Sequence, residues 1–203
     1  MGKLALALAL FFGCSAQAGT VGFSGPVSKC SMHQLVSKVA NLSKAGDRDI
    51  TVKIGNSDGG DLYAALNAMD ELRRYGVDTI AAGSCASACT VVYAAGAVRS
   101  AKGGARFMFH GTEVATHKLK KSTVAAIKAD PCAKSAVKVT IGEALTKAEQ
   151  NEFRHSFADQ WLSAIRTASP ALANELDRKD ALLRKDEVWY STKDARSLGY
   201  VND

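Results

Sequence analysis

The chain has 203 residues, of which 26 are Lys or Arg and 20 are Asp or Glu, so its formal net charge is +6. A hydrophobic fraction of 47% is enough for the buried core of one domain. The lysines are scattered, and the densest cluster (Lys118, Lys120 and Lys121) lacks the interleaved aromatic residues of a nucleic-acid surface. Composition therefore argues against a nucleic-acid-binding protein.

The first residues predict export. Lys3 precedes an unbroken apolar run, Leu4 to Phe12, and Ala16-Gln17-Ala18 gives a small-residue cleavage site. This order is typical of a secretory signal peptide, and the run is too short to span a bilayer. We expect a signal peptide over residues 1–18 and a periplasmic or secreted domain over 19–203. Lipidation at Cys14 is the less favoured alternative, because Phe11 stands where a lipoprotein signal has leucine.

Cysteine usage agrees with an oxidising compartment. Cleavage after Ala18 leaves Cys30, Cys85, Cys89 and Cys132, an even number that allows three pairings. Cys85 and Cys89 lie about one helical turn apart and are candidates for a bridge, which would leave Cys30 with Cys132. The spacing is a poor zinc signature, so we expect disulfides and no metal.

The first half of the domain alternates strands and helices. Ser31 with Gln34 predicts a capping box that opens a helix closed by Gly46. Asp49 to Ile54 predicts a strand, and Gly55 to Gly60 a loop. Asp61 caps a second predicted helix, which runs through Tyr75 with Gly76 at its C′ position.

The next segments continue this alternation and predict a parallel α/β sheet. Val77 to Ala82 reads as a strand, Ser87 to Val98 as a buried helix of small residues, and Arg106 to Phe109 as another strand.

The second half of the chain gives fewer secondary-structure predictions. No element is assigned over 112–141. Thr146 and Glu149 predict a capping box before a long helix whose repeated apolar residues are typical of a core face. They are Phe153, Phe157, Trp161, Leu162 and Ile165. Thr192 to Leu198 predicts a short helix, Gly199 its end, and Tyr200-Val201 a final strand.

Three stretches place unusual backbone beside reactive groups. Asn56-Ser57-Asp58-Gly59-Gly60 is a turn whose glycines leave backbone N–H groups unobstructed. Gly83-Ser84-Cys85-Ala86-Ser87-Ala88-Cys89 sets a serine where a strand gives way to a helix, so the next N–H groups can face a developing oxyanion. Arg106-Phe107-Met108-Phe109-His110-Gly111 delivers a histidine at the end of a strand.

Together these stretches resemble the Clp protease proteolytic subunit, within the crotonase-like superfamily. The Asn56–Gly60 turn is similar to the family's Asn-Ser-Pro-Gly-Gly, Ala86-Ser87-Ala88 to its nucleophile turn, and Phe107–His110 to its histidine strand. Residues 192–201 look like its closing motif. The resemblance covers about residues 50–110 and then 189 to the end. It implies a single α/β domain built as a spiral of β-β-α units.

Carried over by motif, the resemblance implies Ser87 as nucleophile and His110 as general base. It implies an oxyanion hole from the Gly60 and Ala88 N–H groups, shaped by Gly59. Counting back from the closing motif, it places the acid at Glu187, with the adjacent Asp186 as the alternative.

Two positions depart from the family pattern. Asp58 replaces a proline beside the implied oxyanion hole, where its charge either weakens oxyanion stabilisation or faces solvent. Cys85 and Cys89 flank the nucleophile, and a bridge between them would pin the turn. Cys85 is a less favoured alternative nucleophile, and His33, His117 and His155 match no motif and are expected at the surface.

The expected function is an ATP-independent serine peptidase outside the cytoplasm, acting on peptides or unfolded protein. We expect no cofactor, no ATPase partner, no membrane span and, by analogy, a homo-oligomer. The alternatives are a non-catalytic binding or assembly module, a signal-peptide-peptidase-like Ser/Lys hydrolase and, least favoured, a coenzyme A thioester enzyme.

Overall fold

The computed structural model describes residues 18–111 and 147–203. The predicted signal peptide lies outside these ranges except for Ala18. Cys14, Cys132, His117, the lysine cluster and the predicted Thr146 cap also lie outside them.

Four parallel strands form the first sheet, in the order β1-β2-β3-β5. They are β1 (Ala18–Phe23), β2 (Asp49–Ile54), β3 (Asp78–Ala81) and β5 (Arg99–Ala101). The strand predicted over Asp49–Ile54 is confirmed, and its alternate residues Ile50, Val52 and Ile54 are buried. Parallel neighbours need crossover connections, so this sheet agrees with the predicted α/β class.

The smaller second sheet contains the strands that carry the candidate catalytic residues. It consists of β4 (Ser84–Ala86), β6 (Arg106–Phe109) and β7 (Val188–Ser191). Strands β4 and β6 are parallel, whereas β6 and β7 are antiparallel. The sequence predicts β6 correctly but not β4 or β7, which are only three and four residues long.

Helices pack against both sheets. In chain order the helices are α1 (Lys29–Lys44), α2 (Leu62–Arg74), α3 (Cys89–Tyr93), α4 (Lys147–Ala168), α5 (Pro170–Arg178) and α6 (Thr192–Ser197). The Asp61 cap of α2 is confirmed by its side-chain bond from the Ala64 N–H, and Gly76 follows the helix at φ +63°. Among the described residues, no helix combines the length and apolarity needed to cross a bilayer.

Aromatic side chains fill the core where α3, α4 and β6 meet. Tyr93, Phe107 and Tyr200 are completely buried and pack with ring centroids 4.7–5.2 Å apart. Phe109 continues the cluster to Trp161, 6.0 Å away. Each such burial contributes about 1.5–3 kcal/mol, so this cluster fixes α4 against the strand that ends at His110.

Arg99 is a buried cation held by carbonyl groups. Its guanidinium donates to the backbone oxygens of Gly96, Ala168, Gly199 and Tyr200. Carbonyls at helix ends carry partial negative charge, which compensates the desolvation of the arginine. Arg99 thereby joins the last residue of α4 to the segments that follow α3 and α6.

The helix predicted over 87–98 is wrong in extent, since α3 covers only Cys89–Tyr93. Ser87 has φ +53°, which no α-helix accommodates. At the other end of α3, the Thr79 hydroxyl donates a hydrogen bond to the Tyr93 carbonyl at 2.8 Å. The chain then continues into β5.

Three smaller predictions are also wrong. Helix α1 is capped by Ser28, and Ser31 is its reciprocal partner, not the cap. Phe153 is 43% exposed, although Trp161 and Ile165 on the same helix are buried. Tyr200 does not begin a strand, because its N–H donates to the Ala195 carbonyl in a turn after α6.

Candidate active site

Ser87 occupies a sharp left-handed turn between β4 and α3. Its φ of +53° is unusual for a residue with a side chain and costs about 1–2 kcal/mol. The Ser87 N–H donates to the Met108 carbonyl at 2.9 Å, which ties the turn to β6. Strain of this kind persists where the surroundings enforce it, and it is concentrated at functional sites.

The Asn56–Gly60 turn lies directly against Ser87. Asn56 Oδ1 accepts from the Ser84 N–H at 2.9 Å, and the Ala86 N–H donates to the Ser57 carbonyl at 2.9 Å. A Cβ atom added to Gly59 would lie 2.5 Å from Ser87 Cβ and 2.8 Å from the Ala88 nitrogen. Glycine at 59 is thus required for the close approach of the two turns.

The two N–H groups predicted for an oxyanion hole have no acceptor within the described ranges 18–111 and 147–203. Gly60 is exposed. The backbone groups on either side of it are hydrogen-bonded: the Gly59 carbonyl accepts from the Val27 N–H, and the Asp61 N–H donates to the Val27 carbonyl. Ala88 is buried beside Ser87. Because α3 is only five residues long, its dipole adds little, and the N–H groups themselves are the available donors.

His110 follows β6 immediately and is half-buried. In the parallel pairing of β4 with β6, Ala86 lies opposite Met108, so Ser87 and His110 leave neighbouring strands at the same end. His110 Nδ1 lies 2.6 Å from the Gly111 carbonyl oxygen, and the ring meets Trp161 edge-on with centroids 6.1 Å apart. A carbonyl only accepts, so this contact favours the tautomer with a proton on Nδ1 and a lone pair on Nε2.

No hydrogen bond joins Ser87 Oγ to His110 among the described contacts. Hydrogen bonds between catalytic groups are often long or misaligned before substrate binds. The structure thus brings the two residues to adjacent strand ends without pairing their side chains.

Both candidate acids are exposed. The antiparallel register pairs Phe109 with Val188, and its continuation sets Glu187 opposite His110. Glu187 Oε2 instead accepts from Trp189 Nε1 at 3.0 Å, while Asp186 pairs with Arg184 at 3.0 Å. Neither carboxylate contacts the imidazole, so the acid stays a prediction.

Thr90, which sequence reasoning missed, is completely buried below the Ser87 turn. Its hydroxyl donates to the Ser87 carbonyl at 2.8 Å and accepts from Trp161 Nε1 at 3.0 Å. Its own carbonyl accepts from the Tyr200 hydroxyl at 2.5 Å. Burial raises the pKa of Tyr200 well above its ordinary value, so the phenol stays protonated and able to donate. A threonine three residues after the candidate nucleophile is the only signal in the sequence.

Cys85 and Cys89 form a disulfide across Ser87, with Cα atoms 5.3 Å apart and both residues buried. This pairing is one of the predicted alternatives, and it leaves Cys85 unable to act as a thiolate nucleophile while oxidised. Cys30 is also disulfide-bonded, and Cys132, the partner predicted for it, lies outside the described residues.

Three further positions singled out in the sequence are exposed. Asp58 is exposed, in agreement with the solvent-facing alternative, and His33 and His155 are exposed as expected. In the described part of the chain, no group of three His, Cys, Asp or Glu residues is arranged to hold a metal ion.

No curated protein matches the chain in a sequence comparison. A comparison with protein families matches residues 12–176 to the family described as Clp protease. The match includes the Asn56–Gly60 turn, Ser87 and His110, and it ends before β7, so Asp186 and Glu187 lie beyond it. The extent of this match and the α/β fold show that the chain belongs to the Clp protease family.

Proposed function

We propose that the chain is an exported, ATP-independent serine peptidase that cleaves peptides or unfolded protein through Ser87, His110 and a carboxylate. Membership of the Clp protease family supports a serine peptidase in general. The observation that carries the finer assignment is the Ser87 turn, a strained serine packed on Gly59. Beside it lie the Gly60 and Ala88 N–H groups, which have no acceptor among the described residues.

In the proposed reaction, Ser87 Oγ attacks the scissile carbonyl carbon while His110 Nε2 accepts the hydroxyl proton. The negative charge that develops on the carbonyl oxygen is met by the Gly60 and Ala88 N–H groups. Collapse of this intermediate breaks the C–N bond, and the imidazolium gives its proton to the leaving amine. Water, deprotonated by His110, then hydrolyses the acyl-enzyme and restores Ser87.

We assign the acid to Glu187, with Asp186 as the alternative. Glu187 lies across from His110 in the continued β6–β7 register, whereas Asp186 is one residue further out and paired with Arg184. For this role, Glu187 must exchange its bond from Trp189 for one from His110 Nδ1, displacing the Gly111 carbonyl. The carboxylate would then stabilise the imidazolium that forms during catalysis.

Export is the second part of the proposal. It is supported by the signal-peptide pattern of residues 1–18 and by the buried Cys85–Cys89 disulfide, since disulfides persist in oxidising compartments. No ATP-driven unfoldase is expected outside the cytoplasm, so the substrates would be peptides or chains that are already unfolded. A homo-oligomer is proposed by analogy with the family.

Hydrolysis of a fluorescently labelled unfolded protein, measured without nucleotide, tests this function. We expect Ser87→Ala and His110→Ala each to lower kcat/KM by at least about 10³-fold, because triad members act as a unit. Glu187→Gln should lower it strongly and Asp186→Asn should not; the reverse order would move the acid to Asp186. Hydrolysis that survives Ser87→Ala, or no hydrolysis by the unaltered protein, contradicts the proposal.

A further inference from the structure

We infer that Thr90 is a positioning residue that aims the Ala88 N–H at the developing oxyanion; this inference rests on the proposed function. Ser87 and Ala88 share one peptide group, whose C=O and N–H point in opposite directions because the bond is planar and trans. Any group that fixes the Ser87 carbonyl therefore fixes the direction of the Ala88 N–H.

Thr90 holds that carbonyl twice. Its N–H donates to the Ser87 oxygen at 2.9 Å and its hydroxyl donates to the same oxygen at 2.8 Å. The N–H bond is available to any residue at this position other than proline. The hydroxyl bond is supplied by the side chain, so it is the bond that threonine adds.

The direction of the hydroxyl bond is fixed by its neighbour on α4. An indole N–H only donates, so Thr90 Oγ1 accepts from Trp161 Nε1, and its proton is left for the Ser87 carbonyl. Hydrogen bonds in such a chain polarise and strengthen one another. Thr90 is completely buried and Trp161 almost completely, so water does not compete for the bonds that link Trp161, Thr90 and Ser87.

Thr90 also forms a hydrogen bond with Tyr200, near the C-terminus. Its carbonyl accepts from the Tyr200 hydroxyl, and Tyr200 is completely buried among Tyr93, Phe107 and Phe109. Thr90 therefore contacts α4 and Tyr200 in the turn after α6, both distant in sequence, while it holds the Ser87 turn.

Thr79 offers a matched control. It is also completely buried, and its hydroxyl also donates to a backbone carbonyl, that of Tyr93, at 2.8 Å. It holds the far end of α3 and has no bond to Ser87. Removing its hydroxyl reproduces the loss of one buried hydrogen bond without touching the Ser87–Ala88 peptide.

The experiment measures the second-order rate constant for labelling of Ser87 by a fluorophosphonate, with thermal unfolding measured in parallel. Attack forms an O–P bond and expels fluoride, and the phosphoryl oxygen takes the place of the oxyanion. We expect Thr90→Val to slow labelling by about ten- to a hundredfold, Thr90→Ser to restore it, and Thr79→Val to leave it unchanged. If Thr90→Val does not fold, Thr90→Ala against Thr90→Ser isolates the same hydroxyl.

Equal labelling of the hydroxyl-bearing and hydroxyl-lacking Thr90 variants would overturn the inference. A slowing that Thr79→Val reproduces would overturn it as well, since it would reflect lost stability alone. Failure of the proposed function is distinct, because the unaltered protein would then show no Ser87-dependent labelling.

Discussion

At the scale of single residues, the site depends on a glycine where two turns meet. Gly59 has φ +86°, and a Cβ there would lie 2.5 Å from Ser87 Cβ and 2.6 Å from the Ala86 carbonyl oxygen. These neighbours are a fixed turn and its backbone, so the contact is not relieved by rotating a side chain. Ser87 and the neighbouring Ala88 N–H must shift if residue 59 gains a side chain.

Gly59→Ala should therefore lower kcat/KM by about a hundredfold or more, as expected when reacting groups are misplaced by an ångström. Gly104→Ala is the matched control: Gly104 has φ +85°, almost the same backbone strain, but nothing lies within 4 Å of an added Cβ. It should cost about 1 kcal/mol of stability and leave kcat/KM unchanged. Similar kinetic losses in both variants would show that backbone strain, not contact with Ser87, is responsible.

The motifs of the candidate site are easier to find in the sequence than the contacts between them. The Asn56–Gly60 turn, Ser87 and His110 come from three separate stretches, and the structure brings them to one place through the β4–β6 pairing and the bonds between Ser57 and β4. Thr90 is not predictable in the same way, because its importance comes from bonds to Trp161 and Tyr200, which lie 71 and 110 residues away.

At the scale of secondary-structure elements, the distinctive feature is the disulfide that closes over the Ser87 turn. It joins the middle residue of β4 to the first residue of α3 and encloses three residues. In the chain-entropy description, closing such a short loop lowers the conformational entropy of the unfolded chain and so stabilises the fold by about 2 kcal/mol. The bridge also limits how far β4 and the start of α3 can separate around Ser87.

The double variant Cys85→Ala/Cys89→Ala should lose about 2 kcal/mol of unfolding free energy, measured by denaturant titration at constant m-value. Removing the sulfurs also leaves small cavities, so Cys85→Val/Cys89→Val, which fills the space without forming a bridge, serves as the control. A free energy of unfolding that is unchanged in both would show that the bridge does not stabilise the fold.

The sequence predicts the ends of a helix or strand correctly where nearby residues determine them. It fails where contacts with distant parts of the chain determine them. Strand β2 and helix α2 follow from alternation and from the Asp61 and Gly76 signals. The small residues of 87–98 favour one long helix, but tertiary contacts divide the segment. The Ser87 turn is bound to β6, and residues 99–101 pair with β3.

At the scale of the whole molecule, the fold gathers distant parts of the chain around one strand end. Helix α4 reaches the site through Trp161, strand β7 pairs with β6, and the C-terminal residues pack through Tyr200 and the carbonyls bound by Arg99. The α/β class was predictable from alternating elements and the family from three motifs. The division into two sheets was not, since β4, β5 and β7 are too short to show a period.

The central claim is that Ser87 is the nucleophile and His110 its base, and mapping of a fluorophosphonate adduct tests it most directly. After reaction of the purified domain, peptide mass spectrometry should find one adduct on Ser87, absent in Ser87→Ala and slowed by at least about 10³-fold in His110→Ala. An adduct on another residue, or no adduct at all, would contradict the assignment of the nucleophile. Labelling of Ser87 at an unchanged rate in His110→Ala would contradict the base and favour a lysine in its place.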